Sequence, residues 1–112
     1  MKEEKEMHIG LILSSNDPDI LWNALRFANF SLDKGEDVTI LLNSHAVEYH
    51  KVDSPQYNLE ELFKIFALSE GRILVWGTCL RSRGLGALEH GDTITLQNQY
   101  DLVKNCDKVL CF

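Results

Sequence analysis

Four short apolar runs constrain this chain most: Met7–Leu13 (MHIGLIL), Val38–Leu42 (VTILL), Ile73–Trp76 (ILVW) and Lys108–Phe112 (KVLCF). A strand with one wet face alternates apolar and polar residues. These runs do not alternate, so they read as strands covered on both faces. The segments between them are amphipathic instead. After the first run, Asn16 or Asp17 can cap a helix, Pro18 suits its first turn, and Asp19 favours the positive end of its dipole. Ile20, Leu21, Ala24, Leu25, Ala28 and Leu32 then fall on one helical face, and Gly35 stops it. Asn58 opens a second helix with Glu61 completing a capping box; Leu59, Leu62, Phe63, Ile65 and Phe66 form its apolar face, and Gly71 ends it. The remaining signals are weaker. They give a turn of helix around Ala46, a short helix over Leu80–Leu88, a strand around Thr93–Thr95 and a helix over Gln97–Asn105.

Strands buried on both faces and separated by amphipathic helices predict an α/β fold. The expectation is a parallel sheet of about five strands with helices on both faces and right-handed crossovers. A flavodoxin-like variant, with strand order 2-1-3-4-5, would set strands one and three side by side. The 112 residues fit one domain over 1–112, with no visible repeat or linker.

Composition removes several function classes. The formal charge of −6 argues against a phosphate backbone as partner, so nucleic acid is not expected. No apolar run approaches the roughly 20 residues of a membrane span. The lead-in Met1-Lys-Glu-Glu-Lys-Glu is charged and lacks the apolar stretch of a signal peptide. Three cysteines, an odd number without a secretory signal, point to reduced thiols in the cytoplasm.

In an open parallel sheet, ligands sit beyond the carboxyl ends of the strands. With strands one and three adjacent, the loops Ser14–Asp17 and Gly77–Leu80 would flank one crevice. The first loop has no glycine and carries Asp17, with Asp19 just beyond, so it is not a phosphate cradle. The other reads Trp76-Gly77-Thr78-Cys79-Leu80-Arg81-Ser82-Arg83-Gly84. A cysteine opening a helix meets unpaired backbone N–H groups, and Arg81 and Arg83 add positive charge; both favour a thiolate, the reactive form for sulfur transfer. The alternative is a small residue filling a turn. Cys106 and Cys111 read as buried structural thiols. His8, His45, His50 and His90 lack metal-ligand spacing, so no metal and no cofactor are expected. Asn43 and His45 follow strand two and read first as solvated loop residues. Trp22, Arg26 and Phe30 recur at spacing four, away from the core face of the first helix, which suggests a homo-oligomer contact.

Several segments together resemble the DsrE/DsrF-like family of sulfur-relay proteins. They are Asn16-Asp17-Pro18, Trp22–Ala28, Lys34-Gly35-Glu36-Asp37-Val38, Gly77-Thr78-Cys79-Leu80, Arg83-Gly84 and Asp107-Lys108-Val109-Leu110. The resemblance implies a parallel α/β sheet, assembly as a trimer or hexamer, and sulfur carried as a persulfide between donor and acceptor proteins. Under it, Cys79 is the candidate catalytic residue, and Asn16, Gly77, Thr78, Arg81 and Arg83 are candidate ligand-binding residues. One departure stands out. Aligned on Arg83-Gly84, the sulfur-carrying cysteine of relay members falls at Trp76. Two functions are therefore carried forward: a persulfide carrier or sulfurtransferase acting through Cys79, and a non-catalytic oligomeric module binding a partner protein or small anion at the same crevice.

Overall fold

The computed structural model describes residues 6–112, so most of the charged lead-in, residues 1–5, lies outside them. The apolar runs form β1 (His8–Leu13), β2 (Asp37–Leu42), β3 (Arg72–Trp76) and β5 (Lys108–Cys111), and Asp92–Ile94 adds a short β4. All pair in parallel, as one five-stranded sheet. Successive side chains sort to opposite faces, as the period of two requires. Ile9, Leu11, Leu13, Val38, Ile40, Leu42, Ile73 and Val75 enter one core, and Ile12, Leu41 and Leu74 enter the other.

The first core is roofed by α1 (Pro18–Asp33), α2 (Leu59–Leu68) and a 3₁₀ segment over Ser44–Lys51; the second is roofed by α4 (Leu96–Asn105). A right-handed rule explains the division. The chain advances from β1 to β4 in one direction, then α4 carries it back across the sheet to β5. Reversing direction moves a right-handed crossover to the opposite face.

Local chemistry follows the sequence in places and departs from it in others. Asp17 caps α1, its Oδ1 accepting from the N–H of Asp19 at 2.9 Å. The capping box expected at Asn58 and Glu61 is replaced. Asp53 reaches back from the preceding loop, and its Oδ1 accepts from the N–H groups of Leu59 at 2.7 Å and Glu60 at 3.2 Å. One carboxylate satisfying two orphan donors does what the box would have done. The helix α3 is Gly77–Ser82, starting earlier and ending sooner than expected. Ile20 and Ile65, assigned to core faces by periodicity, are exposed.

Strand order is the main correction. The sheet runs β4-β3-β2-β1-β5, so β2 separates β1 from β3. Strands one and three are not neighbours, and the flavodoxin-like order does not hold. Each crossover from β1 to β4 joins adjacent strands, the more frequent choice for consecutive elements. The order reverses between β1 and β5, where Ser14 N–H donates to the Phe112 carbonyl at 2.9 Å. In this arrangement β5 is an edge strand. Lys108, Leu110 and Cys111 are exposed, against the expectation of a buried last strand.

Gly71 shows how tightly α2 closes on β3. A Cβ there would stand 2.6 Å or less from three ring atoms of Phe66, which is fully buried. The Gly71→Ala variant is expected to lose about 1–3 kcal/mol in urea unfolding, the usual cost of overpacking a core. Gly86→Ala, where a Cβ meets nothing within 4 Å, is the control and should unfold at nearly the wild-type midpoint.

Candidate functional site

The carboxyl ends of β1, β2 and β3 lie side by side and bring together residues from three loops. With β2 in the middle, its exit residues Asn43 and Ser44 occupy the space between the two loops that were expected to face each other directly. Ser14 Oγ, from the β1 end, hydrogen-bonds Asn43 Oδ1. Ser44 N–H donates to Cys79 Sγ at 3.2 Å, from β2 across to α3.

Asn43, Ser44, Trp76, Thr78, Cys79 and Gln99 line a shallow pocket of about 330 Å³. Gln99 comes from α4 on the other face of the sheet, and its Oε1 accepts from the Trp76 indole N–H. A half-buried indole needs an acceptor. That requirement is the only sequence signal for Gln99, and it does not say which acceptor is used. A second pocket of about 450 Å³ adjoins across Thr78 and is lined by Gly77, Arg81, Ile94 and Leu96 among others. Gly77 permits this closeness, since a Cβ there would meet the Thr93 methyl at 2.8 Å and Arg81 Nη1 at 3.1 Å.

The other sequence candidates fall in different places. Asn16 is exposed in the loop after β1 and does not line the Cys79 pocket. Arg83 is turned into the protein. Its Nε lies 3.3 Å from Glu48 Oε2, and its Nη1 donates to the Cys79 carbonyl at 3.2 Å. Its charge is therefore engaged by Glu48, and its action on Cys79 is to hold the α3 backbone. Glu48 also receives Lys51 at 2.8 Å and His45 Nδ1 at 3.5 Å. The Lys51 hydrogen bond above all, with smaller contributions from His45 and Arg83, holds the Glu48 carboxyl below its ordinary value against the cost of desolvation. His45 thus serves this ion cluster, and Asn43 lines the pocket.

Cys106 and Cys111 lie away from this pocket. Burial first, and then the charges of Asp37 and Asp107, push the Cys106 thiol above its usual value. Cys111 is exposed on the edge strand. On α1, Trp22 is partly covered within the chain: Tyr57 meets it edge-on at 5.9 Å between centroids, and Arg26 stacks over it at 4.4 Å. Phe30 is 59% exposed.

No helix among the described residues is long and apolar enough to cross a membrane. No curated protein matches the sequence. Solved structures do match its fold. The E. coli YchN protein shares 21% identity at a TM-score of 0.81, covering 96% of this chain and 100% of that one. The conserved protein BT1422 from Bacteroides thetaiotaomicron, of unknown function, shares 14% at 0.79, covering 94% of each chain. The protein MTH1491 from Methanobacterium thermoautotrophicum, also of unknown function, shares 12% at 0.67, covering 95% of this chain and 99% of that one. At these identities the likeness shows the fold alone. The family model that matches residues 7–112 is that of the DsrE/DsrF-like family, and the chain belongs to that family.

Proposed function

We propose that this protein is a sulfur-relay protein that carries sulfane sulfur on Cys79. The observation that supports the reading most is the Ser44 N–H held 3.2 Å from Cys79 Sγ, at the rim of an open pocket beyond the carboxyl ends of the strands. In the first step the Cys79 thiolate attacks the outer sulfur of a donor persulfide, R–S–SH. A new S–S bond forms to Cys79, the donor S–S bond breaks, and the donor thiolate leaves with the electron pair and takes up a proton from water. In the second step an acceptor thiolate attacks that outer sulfur and Cys79 departs as thiolate, now stabilised by the Ser44 N–H. No net oxidation occurs and no cofactor is required. Reduced thiols of this kind belong in the cytoplasm, which is the compartment we assign.

The competing reading, a binding module, draws on Trp76. A bulky indole fixed by Gln99 stands where relay members carry their cysteine, and Cys79 is itself partly packed against the core. Under that reading, Arg81 and the adjoining pocket would hold an anion or a partner segment.

We also propose a homo-oligomer, a trimer or hexamer. Phe27, Phe30 and Ile65 stand exposed at a groove of about 830 Å³ between α1 and α2, with Leu68 exposed at the end of α2. Contiguous exposed apolar side chains of this size mark interaction surfaces. The contact is thereby centred on Phe30 and Ile65, with Arg26 at the groove and Trp22 largely covered by Tyr57.

Mass spectrometry after incubation with a small-molecule persulfide should show one added sulfur on wild-type protein. Cys79→Ser should abolish the addition while preserving the fold, and Cys106→Ser should retain it. Loading that survives Cys79→Ser would favour the binding module. In iodoacetamide labelling at neutral pH, Cys79 should react before Cys106, whose burial disfavours its thiolate. Light scattering at micromolar concentration should give a trimeric or hexameric mass for the wild type and a smaller one for Phe30→Glu/Ile65→Glu. A monomeric wild type would rule the assembly out.

A further inference from the structure

The tertiary structure assembles one group of potential metal ligands that no sequence spacing announces. Glu60 is the second residue of α2, and Glu89 and His90 lie in the segment between α3 and β4. One ligand atom from each lies within 4.8 Å of the other two. His90 Nε2 already stands 3.2 Å from Glu60 Oε1, with the imidazole only 17% exposed. Glu89 has no cationic partner in an ion pair among the described residues, so two carboxylates face one imidazole, and the group is short of positive charge.

The helix that supplies Glu60 is firmly held, for Phe63 of α2 packs on the Tyr49 ring with 4.2 Å between centroids, and Tyr49 is only 4% exposed.

We infer that Glu60, Glu89 and His90 form a binding site for a divalent transition ion, with Zn²⁺ as the best fit. One imidazole with two carboxylates suits Zn²⁺ better than Mg²⁺, which takes oxygen ligands and keeps its water. Zinc donors sit at about 2.0–2.2 Å, so they stand about 3.3 Å apart in a tetrahedron, a spacing that rotations of the more exposed Glu60 and Glu89 side chains toward His90 would reach. Water completes the fourth position. The two carboxylates balance the charge of the ion. Such an ion would tie the segment after α3 to the start of α2, bracing the element that carries Cys79.

The test uses full-length protein under reducing conditions, with zinc chloride as titrant in calorimetry. The expected result is one equivalent bound per chain and a raised thermal midpoint. Affinity should fall about tenfold or more in His90→Ala and in Glu89→Gln, and stay unchanged in Cys79→Ser. Both ligand variants lie in a surface segment, and circular dichroism confirms that they fold; Glu60→Gln gives a third, independent check. Magnesium chloride should not bind. No zinc binding, binding indifferent to His90→Ala and Glu89→Gln, or binding lost with Cys79 would each overturn the assignment.

Discussion

The placement of β2 between β1 and β3 is the constraint on which the rest of the structure depends. Its Val38, Ile40, Leu41 and Leu42 are fully buried, two faces and two edges all covered by protein. A strand in that position exposes no backbone hydrogen-bonding group to solvent, and every one must find a ladder partner. It also fixes which loops can meet. Because β2 is central, its exit residues stand between the β1 and β3 exits, and Asn43 and Ser44 become the middle of the site.

From there, two contacts hold the Cys79 element in register. Ser44 N–H meets the sulfur, and Glu48, six residues after Leu42, pulls Arg83 inward. Arg83 in turn binds the Cys79 carbonyl. The helix α3 has only six residues and little intrinsic stability, since isolated short helices are marginal in water. Its position is therefore set by these tertiary contacts and by Leu80 in the core. Arg83, from the Arg83-Gly84 pair that marks the family resemblance, accordingly works as a clamp on the backbone, and Arg81 is left as the cation beside the adjoining pocket.

The two roofs of the sheet are unequal, and this shapes the surface. One face has two long helices and a 3₁₀ segment; the other has α4 alone. On the first face, α1 and α2 together have more apolar residues than one monomer buries, so Phe27, Phe30, Ile65 and Leu68 remain outside. On the second, Leu96, Tyr100 and Val103 of α4 also face outward. Periodicity marks residues as apolar on a helix; it does not say whether the covering partner is the sheet or another subunit. Ile65 is such a case, read as core and found exposed.

The sequence by itself determined the fold class and the strand and helix inventory, because unalternating apolar runs and amphipathic segments are local patterns with fixed periods. It also placed Cys79 just beyond the third strand at the start of a helix, although that helix begins at Gly77 and not at Leu80. Strand order was beyond it. Each of β1, β2 and β3 is apolar on both faces, so no pattern distinguishes a central strand from its neighbour, and only packing decides. The same limit hid Ser44, whose backbone N–H carries no side-chain signature, and Gln99, which reaches Trp76 from the far side of the sheet. It hid Asp53 as the cap of α2 and the meeting of Glu60 with Glu89 and His90. Those are contacts between residues distant in sequence, made only when the crossovers close, and no local spacing encodes them.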